Sequence, residues 1–137
     1  MSWTDEVGEV SRARLLLVED HPTMRGAVRV IFEAEGYEVA EVGDGASALE
    51  AIRSAPPDLV VLDLNIPGVS GAEVLRELRA DPATAAVRVV VATAEGEEGR
   101  ASAMRLGADE YLTKPFGPAV LLRTVARVLG GSGSTGA

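Results

Sequence analysis

Asp58-Leu-Val-Val-Leu-Asp63, followed by Leu64-Asn-Ile-Pro67-Gly68, decides how the rest of the chain is read. The four residues between the two aspartates are continuously apolar, and two of them are β-branched. Pro56-Pro57 stands before the run and Pro67-Gly68 after it. Such a run reads as a strand covered on both faces in a parallel sheet. A carboxylate at its C-terminal end lies where open α/β sheets hold their ligands. Taken alone, Asp63 is read equally well as a strand-end residue that caps the next turn.

Moving outward, further strand-like stretches lie on both sides. Leu15-Leu-Leu-Val18 leads into Glu19-Asp20, a second run covers residues 37–42, and residues 87–92 lead into Thr93. A short run at 109–113 leads into Lys114-Pro115. Helical spacing fills the gaps. Met24, Ala27, Val28, Ile31 and Phe32 share one face, with Pro22 in the first turn, Asp20 or His21 as cap and Gly36 as stop. Asp44 caps a helix that turns Ala48, Leu49 and Ile52 inward. Ser70-Gly-Ala-Glu73 is a capping box ahead of Val74, Leu75 and Leu78. A weaker helix is expected over 97–106 and a last one over 118–129. Ala94-Glu-Gly-Glu-Glu-Gly99 opens the fourth helix with two glycines, so its first turn is expected to fray.

Strand and helix alternate five times. That predicts one α/β domain: a doubly wound, five-stranded parallel sheet with five helices and strand order 2-1-3-4-5. The expected domain covers residues 13–129, between a disordered leader at 1–12 and a flexible Gly/Ser tail at 130–137. The 137 residues suffice for one domain with a real core. A net charge of -8 argues against non-specific nucleic-acid binding. The chain has no cysteine, which excludes disulfides and thiolate metal sites. The polar, acidic N-terminus is not a signal peptide, and no apolar run is long enough to cross a membrane. The default expectation is a cytoplasmic protein with no nucleic-acid or membrane partner.

In the expected strand order, the first and third strands are neighbours at the switch point. Their ends carry Glu19-Asp20 and Asp63, and the next two strands bring Thr93 and Lys114 to the same rim. Clustered carboxylates repel one another and favour a hard divalent cation, Mg²⁺ or Mn²⁺, with oxygen ligands. A carboxylate beside such an ion can attack phosphorus and form an acyl phosphate. Lys114 can balance charge on the phosphoryl oxygens, and the Thr93 hydroxyl can donate to one of them. The chain has no P-loop and no glycine-rich dinucleotide turn, so the phosphoryl group must arrive on a donor. Asn65 and Glu95 flank the approach of water to such an acyl phosphate; both are polar and of modest size, which favours a short-lived modification.

Over roughly residues 13–129 the sequence resembles the receiver domain of two-component response regulators. Glu19-Asp20, Val61-Leu-Asp63-Leu-Asn-Ile-Pro67-Gly68 with Gly71, Thr93-Ala94 and Gly107-Ala-Asp-Glu-Tyr111-Leu-Thr-Lys114-Pro115-Phe116 carry the resemblance. It implies a flavodoxin-like fold in which Asp63 accepts a phosphoryl group from a sensor histidine kinase or phosphotransfer protein. It implies a metal site of Glu19 (through water), Asp20, Asp63 and the backbone carbonyl of Asn65. Thr93 and Tyr111 correspond to a switch pair in which Thr93 moves to the phosphoryl group and Tyr111 turns inward behind it. Lys114 corresponds to an anchor before a cis Pro115. The Asn65/Glu95 pair is similar to that of the stand-alone chemotaxis regulator, which has short-lived phosphorylation. Where many DNA-binding relatives carry a Glu and an Arg for pairing through the last helix, this chain has Val120 and Thr124, so that dimer is disfavoured; separately, a monomer is expected in the inactive state. The resemblance implies a signalling module that acts on an unidentified downstream protein and catalyses only its own phosphotransfer and dephosphorylation. A receiver cut from a longer regulator with a DNA-binding output domain is the alternative. An aspartate-nucleophile phosphatase is a remote one, because such enzymes want a second Asp where this chain has Asn65.

Overall fold

The computed structural model describes residues 12–135. In chain order the elements are β1 (Arg14–Val18), α1 (Pro22–Ala34), β2 (Glu38–Val42), α2 (Gly45–Ser54), β3 (Leu59–Leu62), α3 (Gly71–Ala80) and β4 (Arg88–Thr93). A 3-10 turn (Glu97–Gly99) then leads into α4 (Arg100–Arg105), β5 (Glu110–Thr113) and α5 (Pro118–Thr135). The five strands form one sheet in the order β2-β1-β3-β4-β5, every pair parallel. This is the expected topology.

Alternation along the strands divides the core in two, because successive side chains point to opposite faces of a sheet. Leu16, Val18, Val60, Leu62, Val89 and Val91 face α2, α3 and α4, meeting Ile52, Leu75, Leu78 and Ala103. Leu15, Leu17, Leu59, Val61, Val90 and Ala92 face α1 and α5, meeting Val28, Phe32, Leu121 and Val125. All four residues of β3 are buried, which is why the run between the two aspartates shows no polar alternation.

Local chemistry sets the helix ends. Ser70 caps α3 by accepting from Glu73 N at 3.1 Å, and Asp44 caps α2 by accepting from Ser47 N at 2.7 Å. His21 rather than Asp20 caps α1, accepting from Met24 N through its Nδ1 at 3.5 Å. Three expectations are adjusted. Ala27 is exposed instead of inward. The fourth helix does not begin as an α-helix at Glu97, since its first three residues form the 3-10 turn. The last helix continues past residue 129 to Thr135, into the stretch read as a tail. Glycine there raises the cost of helix by about 1 kcal/mol per residue, but no proline forbids it. Of the leader expected at residues 1–12, all but residue 12 lies outside the described residues.

Candidate functional site

The C-terminal rim of the sheet is built by extending the ladders one residue beyond the strands. Glu19 N donates to Val42 O at 3.1 Å, Asp63 N to Val18 O at 3.1 Å, and Lys114 N to Thr93 O at 2.8 Å. Each functional side chain therefore leaves backbone that is held by a neighbouring strand. Glycine lets the next element come close. A Cβ on Gly71 would lie 2.5 Å from the Asp63 carbonyl oxygen, so only glycine allows α3 to start against the end of β3.

At this rim Lys114 Nζ donates to Glu19 Oε1 at 2.6 Å and to Asp63 Oδ2 at 2.7 Å. The remaining carboxylate oxygens are also held: His21 N donates to Glu19 Oε2 at 3.1 Å, and Asn65 N to Asp63 Oδ1 at 2.9 Å. Glu19 and Asp63 are 5% and 6% exposed, too buried to carry charge without such donors. Burial lowers the Lys114 pKa, but the hydrogen bonds to Asp63 and Glu19 outweigh it, and the net shift is upward. The lysine stays an ammonium that ties two carboxylates together.

Asp20, Asn65 and His21 line the same open cavity, of about 490 Å³, with Glu19, Asp63 and Lys114. Thr23, Met24 and Ala27 of α1 form its less polar wall, which accounts for the exposure of Ala27. Among the described residues, no three Asp, Glu or His groups converge closely enough to hold a metal ion; Lys114 stands between Glu19 and Asp63. The donor types do suit a hard divalent cation, because Asp20 and Asp63 carry carboxylates and Asn65 a backbone carbonyl beside the same cavity.

The Thr93 hydroxyl is buried with no hydrogen-bond partner. A buried orphan of this kind costs free energy unless a ligand later satisfies it. Tyr111 is buried, and its hydroxyl donates to Gly96 O at 2.7 Å. Its inward position is thus already present. Gly96 has φ +85, and a Cβ on Gly99 would lie 2.5 Å from the Tyr111 hydroxyl. The two glycines that sequence reading connected with fraying also make the seat for Tyr111. Arg100 lies over the Tyr111 ring at 5.2 Å. Burial, then Glu95, raises the Tyr111 pKa.

The structure does not bring every expected residue to the cavity. Glu95 is exposed, and its Oε1 lies toward Gly99, 3.2 Å from where a Cβ would sit. The Lys114-Pro115 peptide is cis, as the resemblance implies. Of the two positions considered for pairing, Val120 is 39% exposed but Thr124 is buried at 4%. Thr124 therefore belongs to the core under α5. Two contributors were not read from sequence. His21 supplies a backbone donor to Glu19, and Arg25 reaches back to the Glu19 carbonyl. Helical spacing of Arg25 carried no signal for either.

Comparison with known proteins agrees with this geometry. The family model for the response regulator receiver domain matches residues 15–126. The DNA-binding response regulator MtrA of Mycolicibacterium smegmatis is 40% identical over 121 residues, covering 88% of this chain and 50% of MtrA. The chain thus spans about half the length of the curated relatives it matches. Among solved structures, the receiver domain of a Pseudomonas aeruginosa sensor histidine kinase superposes with a TM-score of 0.81 at 30% identity, covering 88% of this chain and 99% of that one. That structure has a magnesium ion coordinated in its active-site cleft. The chemotaxis protein CheY4 of Vibrio cholerae gives a TM-score of 0.79 at 31% identity, covering 86% and 99%. The five-stranded order, the rim of Glu19, Asp63 and Lys114, and these matches lead to one conclusion: the chain belongs to the receiver domain family of two-component response regulators.

Proposed function

We propose that Asp63 is the phosphoacceptor and that its modification changes which protein this domain binds. The observation that carries this reading is the Lys114 ammonium bonded at once to Asp63 and Glu19, beside a buried Thr93 hydroxyl without a partner. An Asp63 carboxylate oxygen attacks the phosphorus of a phosphohistidine on a sensor kinase or phosphotransfer protein. The phosphorus–nitrogen bond breaks and its electron pair returns to the imidazole ring. Lys114 can follow the negative charge from the carboxylate onto the phosphoryl oxygens. Thr93 gains the acceptor it lacks, and the filled seat of Tyr111 holds the 3-10 turn behind it. Glu19, Asp20, Asp63 and the Asn65 carbonyl are the groups that would hold Mg²⁺ or Mn²⁺, which when bound supplies positive charge to the transferring oxygens.

Asn65 is exposed at the mouth of the site and Glu95 sits on the next loop. Neither walls off water, which supports rapid self-dephosphorylation. Among the described residues no helix is long and apolar enough to cross a membrane, and cytoplasmic action as an inactive monomer fits this reading. The same rim serves a stand-alone module or the receiver half of a longer regulator. The phosphatase alternative has no support from the family match. Incubation with acetyl phosphate and Mg²⁺, followed by intact mass, tests the proposal. A single phosphoryl adduct is expected, absent without Mg²⁺ and absent in Asp63→Asn. An adduct that survives either change would refute it.

A further inference from the structure

Arg25 lies on the first turns of α1 and is not part of the cavity wall, yet its side chain makes two connections at once. Its Nη1 donates to the Glu19 carbonyl at 2.9 Å, and its Nε donates to Glu41 Oε1 at 2.8 Å. The second oxygen of Glu41 accepts from Arg29 Nη1 at 2.6 Å, and Arg29 Nε donates to Glu33 at 2.9 Å. Arg29, then Arg25, hold the Glu41 pKa below its usual range. The Arg25 and Glu41 side chains are only 25% and 23% exposed, so this pairing is better shielded than a surface ion pair. Space is reserved for it. A Cβ on Gly43 would lie 3.0 Å from Arg25 Nη1 and 3.9 Å from the Glu19 carbonyl oxygen.

We infer that Arg25 is a positioning residue for the acidic pair, an inference that rests on the metal reading of the rim. The Glu19 carbonyl belongs to the peptide that joins Glu19 to Asp20. Fixing that carbonyl fixes the plane from which Asp20 leaves toward the cavity, while Glu19 N is fixed by Val42 O on the other side. Glu41 orients the guanidinium and neutralises it, so the cation stands near the acidic pair without opposing a second one. A lysine cannot replace it, because one ammonium lacks the planar fork that serves a carbonyl and a carboxylate in fixed directions.

Direct Mg²⁺ titration by calorimetry, in the full chain and without any phosphodonor, tests the inference. Bare electrostatics and positioning predict opposite signs. Removing a nearby positive charge should tighten Mg²⁺ binding, whereas losing an orienting partner of the ligand loop should weaken it, by about tenfold. The expected result is weaker binding in Arg25→Met and in Arg25→Lys. Arg29→Met, which removes the bond to the other Glu41 oxygen and leaves both Arg25 bonds in place, should keep the wild-type affinity and so serves as the control for general loss of stability. Unchanged or tighter binding in Arg25→Met would overturn the positioning role alone. An equal loss in Arg29→Met would reduce it to stability and overturn it too. Failure of the wild type to bind Mg²⁺ would remove the metal reading and this inference with it.

Discussion

The end of β3 and the start of the fourth helix lie on the same rim but are built in opposite ways. At β3 every residue is buried, Asp63 N continues the ladder onto Val18, and both Asp63 carboxylate oxygens have donors. From Ala94 to Gly99 the backbone leaves the sheet, passes a glycine at φ +85 and makes only a 3-10 turn with no side-chain cap. Its side chains are exposed or half-buried, and it seats the buried Tyr111 of β5. The first arrangement suits a group that must be held in one place for attack. The second suits a segment that must settle in two places at little cost, because local opening draws on the least stable parts of a fold.

Hydrogen exchange sharpens the contrast most. Residues 59–62 are expected to exchange only on global unfolding, which costs about 5–15 kcal/mol in domains of this kind. Residues 95–100 are expected to exchange through local opening at a small fraction of that, and to gain protection when Asp63 is phosphorylated. Equal protection in the two segments would erase the distinction. Next in size is Lys114→Met, which leaves Glu19 and Asp63 buried without their shared cation. Labelling by acetyl phosphate should slow on the order of 10²-fold. Mg²⁺ should raise the melting temperature of this variant more than that of the wild type, because the metal replaces the missing charge and binds only the folded rim. Labelling at the wild-type rate would show that the rigid side of the rim does not depend on Lys114.

The combined change Asn65→Met and Glu95→Arg joins one residue from each region. Decay of the phosphorylated protein after donor removal should slow by about tenfold, less than a full general base contributes. Decay at the wild-type rate would mean that neither position admits or orients water. The smallest effects come from two glycines. Gly99→Ala drives a Cβ into the Tyr111 hydroxyl and should destabilise by about 1–3 kcal/mol while pushing Tyr111 outward. Gly26→Ala, in α1 with nothing within 4 Å of the new Cβ, should instead stabilise by about 0.5–1 kcal/mol. Urea melts of both variants check the signs. Two changes of the same sign would contradict a seat built specifically at Gly99.

The sequence was legible where periodicity carries the information. Continuous apolar runs marked the buried strands, 3.6-residue spacing marked the helices, and five alternations left one sheet order to expect, which Asp63, Glu19, Thr93 and Lys114 then share at one rim. What it did not reveal are contacts made by long or absent side chains across sequence distance. Arg79 of α3 shows this: it donates to the carbonyls of Ala85, Val87 and Gly107 and clasps the loops before β4 and β5, with nothing in its own helix to announce it. Arg25 reaching the Glu19 carbonyl is a second case. Gly99 is a third, since a glycine read locally signals a weak helix, whereas its neighbour Tyr111 comes from another strand. Cap choice was only half legible, because Asp20 and His21 are both able to accept and the backbone path from β1 selects His21.

The central claim is that the rigid end of β3 holds the acceptor, and chemistry can mark that residue directly. Borohydride reduces an aspartyl phosphate to homoserine, so the phosphorylated protein is reduced, digested and mapped by peptide mass spectrometry. Homoserine at position 63, and only after treatment with phosphodonor and Mg²⁺, is the predicted result. Homoserine at position 20 or at another carboxylate, with residue 63 still aspartate, would contradict the account.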